Sequence, residues 1–180
     1  METRLVTTPL ATFFGDVLAH SFADLDVPHR GALEYLADLL ARFARVDALY
    51  PEDPAGGRLE TLVDRLAAIQ RAWQLDGPSF DPRREVEVRR GIAEACLFLA
   101  GFFWERVRAA GATRHHVREG RRAYRFLAGY HRARGHPLAP VYATLAARFE
   151  TYAAVLAYMR DVYLGAEFAA WPHRAFARFA

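Results

Sequence analysis

The sequence predicts an all-α fold, a single-domain bundle of about six helices packed around a central apolar helix at about 82–110. Three observations carry that expectation. Apolar residues recur three and four positions apart along most of the chain, clusters of Pro, Gly and Asp interrupt that pattern at helix-length intervals, and no run alternates polar and apolar residues long enough to make a strand. With 180 residues, 53% hydrophobic and 25% charged, the chain has the size and composition of one self-sufficient globular domain and lies away from the highly charged composition of disorder.

Thr8-Pro9 reads as the first helix start, a hydroxyl cap followed by proline where its missing N–H is not needed. Leu10, Phe13, Phe14, Val17, Leu18 and Phe22 follow at helical spacing until Val27-Pro28. A second helix from about Gly31 to Tyr50 carries Leu33, Leu36, Leu40, Phe43 and Val46 on one side, and the segment Pro51 to Gly57 ends it. A third is expected from Arg58 to Leu75, closed by Asp76-Gly77-Pro78. Asp81-Pro82 then opens the fourth, which should run to Gly111. Between Gly91 and Trp104 it is apolar on every face except at Glu94, the pattern of a helix surrounded by others. Its fourteen residues fall short of the roughly 20 that span a bilayer. Thr113 opens a fifth helix that stops at Gly135-His136-Pro137, and a sixth runs from about Leu138 to Leu164 before Gly165. The remainder, 166–180, is a short aromatic segment holding Phe168, Trp171, Phe176 and Phe179.

Several function classes find no support. Cys96 is the one cysteine, so no intramolecular disulfide can form, and the first residues lack the basic flank and apolar core of a signal peptide. A reducing, cytoplasmic setting is expected. Serine occurs only as Ser21 and Ser79, without a Gly-x-Ser-x-Gly elbow, and no phosphate-binding glycine loop is present. No cofactor is implied. A bundle metal site would show a Glu-x-x-His pair on each of two helices, and that pair is missing. His115, His116 and Glu119 are the nearest approach, with His115 and Glu119 on one face, but one face with two ligands does not make a site.

Two features stand out. A carboxylate at Glu94, inside the apolar run, requires a partner. The wheel of the fifth helix places Val117, Gly120, Tyr124, Leu127 and His131 inward, so Tyr124 or His131 is expected to reach it, and Gly120 is expected at a close helix contact. The second feature is charge. Residues 1–80 hold 7 Arg and 12 acidic residues, net −5, whereas 81–180 hold 17 Arg and 9 acidic residues, net +8. All the basic residues are Arg, which reflects coding bias, but their placement is informative. Arg114, Arg118, Arg121, Arg125 and Arg132 share one stripe of the fifth helix. That stripe is either a solvated outer face or a contact for an anionic surface. It has no interleaved aromatics for base stacking, so nucleic acid is not the expected partner.

The order and spacing of several packing motifs resemble a family of all-helical bacterial proteins to which no activity is attached. The motifs are Thr8-Pro9-Leu10 with Phe13-Phe14, Tyr35-Leu36 with Leu39-Leu40 and Phe43, Leu97 with Gly101-Phe102-Phe103, Gly120 with Ala123-Tyr124, and Leu145-Ala146 with Phe149. The resemblance implies a carboxylate at position 94, more often Asp in that family, and an aromatic pair where this chain has His115-His116. It implies no activity.

The expected function is therefore a non-enzymatic interaction or scaffold module, with a homodimer among its expected forms, that uses the arginine stripe and the aromatic segment with Phe168, Trp171, Phe176 and Phe179 toward a protein partner or a second copy. The alternative is a small-ligand pocket or weak acid–base centre around Glu94, Tyr124 and His131.

Overall fold

A computed structural model describes residues 10–27, 30–44 and 82–165. The expected third helix, the Thr8-Pro9 cap and the aromatic segment 166–180 lie outside the described residues. Among the described residues every regular element is helical: α1 (Leu10–Asp24), α2 (Arg30–Phe43), α3 (Pro82–Phe102), α4 (Trp104–Ala109), α5 (Thr113–Arg132), α6 (Ala139–Ala147), α7 (Phe149–Tyr158) and a π-helical segment (Met159–Leu164).

The terminators read from the sequence coincide with left-handed backbone. Gly111, Gly135 and Gly165 have φ of 67°, 62° and 63°, a region that glycine enters without Cβ strain, and each follows a helix. Asp26, with φ of 52°, does the same after α1. Thr113 opens α5 as its first helical residue, as expected; Ala112 holds the cap position, with no side-chain cap hydrogen bond.

Two long helices expected from periodicity are each broken. The fourth ends at Phe102, and Phe103 leaves helical geometry with φ −125° and ψ 32° before α4 resumes. The Phe102 carbonyl accepts a bond from Arg160, so a side chain of the π-helical segment stands at the break. The sixth breaks at Arg148, with φ −115° and ψ 33°, and finishes in the wider π turns. Neither break involves Pro or Gly at its pivot, and hydrophobic periodicity runs through both.

α3 occupies the centre. Ile92 to Leu99 are buried consecutively, so every face of two turns is covered. α5 and α7 pack along it, while Phe43 of α2 meets Phe98 edge-on at 5.1 Å between centroids. Close approach depends on two glycines. A methyl group on Gly120 would lie 2.6 Å from Phe149 Cζ and 3.0 Å from Cys96 Cβ, and one on Gly101 would lie 2.6 Å from Leu156 Cβ. The expected close contact at Gly120 thus joins α5 to α3 and α7. Among the described residues no helix is long and apolar enough to cross a membrane.

Candidate functional site

Glu94 is 3% exposed and fully engaged. Its partners come from α2, not from α5 as the helical wheel suggested. Tyr35 donates its hydroxyl to Oε1 at 2.7 Å, and Arg42 binds both oxygens, Nη2 to Oε1 at 2.7 Å and Nη1 to Oε2 at 2.9 Å. Tyr35 and Arg42 are seven apart, two helical turns, and so share one face of α2. Three charge-assisted bonds, one pair in the bidentate geometry of a guanidinium fork, offset the cost of burying the carboxylate. Arg42 itself remains 42% exposed, so the ion pair reaches from the core to solvent.

Tyr124 and His131 join this cluster indirectly. Tyr35 packs edge-on against Tyr142 at 5.5 Å and against Tyr124 at 6.3 Å. Tyr124 stacks on Tyr142 at 6.1 Å, and His131 lies 5.2 Å from the same ring. Among the described residues the buried Tyr124 hydroxyl has no hydrogen-bond partner. Burial, reinforced by the Glu94 charge, pushes the Tyr35 and Tyr124 phenols well above their ordinary range, and both are held neutral. Burial also lowers His131, with the neighbouring His136 adding to the effect. Tyr142, which links Tyr35, Tyr124 and His131, was not singled out in the sequence; it sits in a run of apolar residues and reads there as one more core aromatic.

The candidate metal-ligand histidines turn to other tasks. His116 is buried, with Nδ1 3.0 Å from the Ala112 carbonyl, and burial lowers its pKa. Glu119 is buried too and accepts from Arg118 Nε at 2.9 Å, while His115 Nδ1 lies 3.3 Å from Arg118 Nη2. Among the described residues no three His, Cys, Asp or Glu side chains converge as a metal site needs.

On the far side of α5 the arginines line an open groove of about 530 Å³, walled by Thr113, Arg114, Val117, Arg118, Arg121, Arg122, Arg125 and Glu150. Four members of the predicted stripe contribute. Arg132 is exposed beyond the groove and takes no part in its wall. Arg122, about 40° past Arg118 on the wheel, is an addition the stripe missed. The guanidiniums differ in freedom. Arg118 is fastened through Nε to Glu119, and Arg121 donates Nε to the Ala146 carbonyl at 3.1 Å, beside the break at Arg148. Arg114, Arg122 and Arg125 have no acid within ion-pair distance among the described residues. Glu150, at the start of α7, is a second acid near the stripe that the sequence did not reveal; its carboxylate is 3.7 Å from Arg121 Nη1.

No protein-family model, no curated protein and no solved structure matches this chain.

Proposed function

We propose that this chain is a non-enzymatic protein-interaction module whose α5 groove takes an acidic segment of a protein partner. The observation that supports this is the wall of five arginines, three of them without an acidic neighbour among the described residues. Like charges gathered on one surface repel one another, and an anionic partner relieves that repulsion. The arginines are spread along α5 rather than aimed at a point. From Arg114 to Arg125 is eleven residues, roughly 16 Å at 1.5 Å per residue, which suits a chain of carboxylates better than one small anion. Val117 is the one large apolar residue of the wall, and without aromatic faces the groove offers bases nothing to stack on. Membership of the helical family it resembles is part of this proposal and adds support for the fold alone.

The alternative, a ligand or acid–base centre at Glu94, Tyr124 and His131, has one observation in its favour, a Tyr124 hydroxyl that is unbonded among the described residues. Against it, both Glu94 oxygens are already engaged by Tyr35 and Arg42, and among the described residues His131 meets the cluster through the Tyr142 ring.

The test uses a fluorescent deca-glutamate peptide, a deca-glutamine control and a ten-residue thymidine oligonucleotide. Wild-type protein should bind the glutamate peptide with an affinity that falls steeply as salt rises. Replacing Arg118, Arg121 and Arg125 with Gln, a comparable helix former, should weaken binding by about 10- to 100-fold. Replacing the exposed Arg90, Arg108 and Arg132 removes the same net charge outside the groove and should change it by less than about threefold. Equal losses in the two triple variants, or groove-dependent preference for the oligonucleotide, would overturn the reading. Concentration-dependent mass that vanishes only in the groove variant would make a second copy the occupant and reject a separate partner.

A further inference from the structure

Resting on that reading, we infer that Glu150 is the chain's own stand-in for a partner carboxylate, which holds the Arg121 position until the partner displaces it. Arg121 is the most constrained arginine of the groove. Its side chain is 34% exposed, its Nε is committed to the Ala146 carbonyl, and its remaining edge faces the groove. What meets that edge is Glu150 Oε2, at 3.7 Å, close enough for charge attraction and too far for a hydrogen bond. Glu150 is held loosely. Its side chain is 72% exposed, and it stands in the first turn of α7 directly after the non-helical Arg148. A carboxylate arriving at normal hydrogen-bond distance would make the charge-assisted contact that Glu150 leaves unmade.

The next fixed guanidinium, Arg118, lies three residues away on the same face, about 5–6 Å at the Cβ. Alternate residues of an extended segment are about 6.6–6.8 Å apart. An acidic segment with carboxylates at every second position therefore meets Arg118 and Arg121 together, and only the second contact requires Glu150 to leave. Glu150 sets the threshold: neutral or singly charged segments compete poorly with it, whereas a polyacidic one replaces it and gains Arg114, Arg122 and Arg125 as well.

The experiment is a double-mutant cycle on the full chain, with deca-glutamate binding as the readout. Glu150→Gln should bind about 3- to 10-fold more tightly than wild type, and Arg121→Gln more weakly. With Arg121→Gln in place, adding Glu150→Gln should gain less than about twofold, because no contact is left to compete for. Glu150 also complements the helix dipole in the first turn of α7, so thermal unfolding of each variant separates altered stability from altered affinity. An unchanged or weaker affinity in Glu150→Gln, with wild-type binding still dependent on the groove arginines, overturns the stand-in role and leaves the interaction reading standing. A gain that persists undiminished in the Arg121→Gln background assigns the effect to net charge and overturns it equally. Absence of any wild-type binding rejects the interaction reading and this inference with it.

Discussion

Glu94 and the arginine groove are both places where a helix carries charge, and they resolve it in opposite ways. At Glu94 one carboxylate inside the core is met by a guanidinium fork and a phenol from a helix more than fifty residues away in sequence. In the groove five guanidiniums face solvent, and two of them, Arg118 and Arg121, have groups of this chain at their Nε. Desolvation makes the difference: an unpaired charge in the interior is too costly to keep, whereas at the surface water screens it and the cost stays small. Charge left unpartnered therefore has meaning only where water already tolerates it. This is why the proposed binding function falls to the groove, whereas the Glu94 cluster reads as part of the framework that holds α2 against α3.

The contrast is tested most severely by removing the cation from the buried pair. Among the described residues, Arg42→Ala leaves the Glu94 carboxylate with the Tyr35 hydroxyl alone. Breaking a buried pair costs about 3–5 kcal/mol, and because Arg42 is partly solvated the expected loss is about 2–4 kcal/mol in chemical denaturation. A loss under about 0.5 kcal/mol would mean that Glu94 is accessible to water, and the cluster would have to be reconsidered as an open site.

Tyr124→Phe probes the same region with the opposite sign. Among the described residues the buried phenol oxygen has no partner, and Phe fills nearly the same space without carrying that desolvation cost. A gain of about 0.5–1 kcal/mol is expected on unfolding. A loss of 1 kcal/mol or more would show that the hydroxyl is bonded in solution and would strengthen the claim of Glu94, Tyr124 and His131 to be a ligand centre.

How much of this was legible in the sequence depended on the distance over which each feature acts. Helix ends at Gly111, Gly135 and Gly165 were legible because a left-handed terminator is a local requirement. Ile92 to Leu99 announced their burial by lacking a polar face. The close approach at Gly120 followed from the cost of glycine within a helix. The breaks at Phe103 and Arg148 were not legible: their residues are compatible with helix, and what stands beside the first, Arg160, comes from a remote part of the chain. For Glu94 the need for a partner was evident and its identity was not, since a wheel drawn for α5 carries no information about α2. The signal was nevertheless present, as Tyr35 and Arg42 seven apart place a phenol and a guanidinium on one face of α2. The arginine stripe was read in outline: Arg122 was missed because it stands about 40° past the edge of the stripe, and Glu150 because it comes from α7, an element a wheel of α5 does not contain.

The smallest effect expected is also the one that defines the groove as surplus charge. Arg122 lines it, is exposed, and has no acid within ion-pair distance among the described residues. Its neighbours Arg118 and Arg125 stand four before and three after it, positions that face each other on a helix, so each contact is repulsive. Such like-charge pairs destabilise by about 0.2–0.5 kcal/mol apiece, and Gln is as good a helix former as Arg. Arg122→Gln should therefore raise stability by a few tenths of a kcal/mol at low ionic strength. At about 1 M salt the Debye length falls to roughly 3 Å and the repulsion it removes is already screened, so the two proteins should converge. Melting curves across a salt series give both numbers. If the variant is less stable at low salt, Arg122 has a partner within the folded chain, the groove is internally satisfied, and the case for an acidic occupant loses its electrostatic basis.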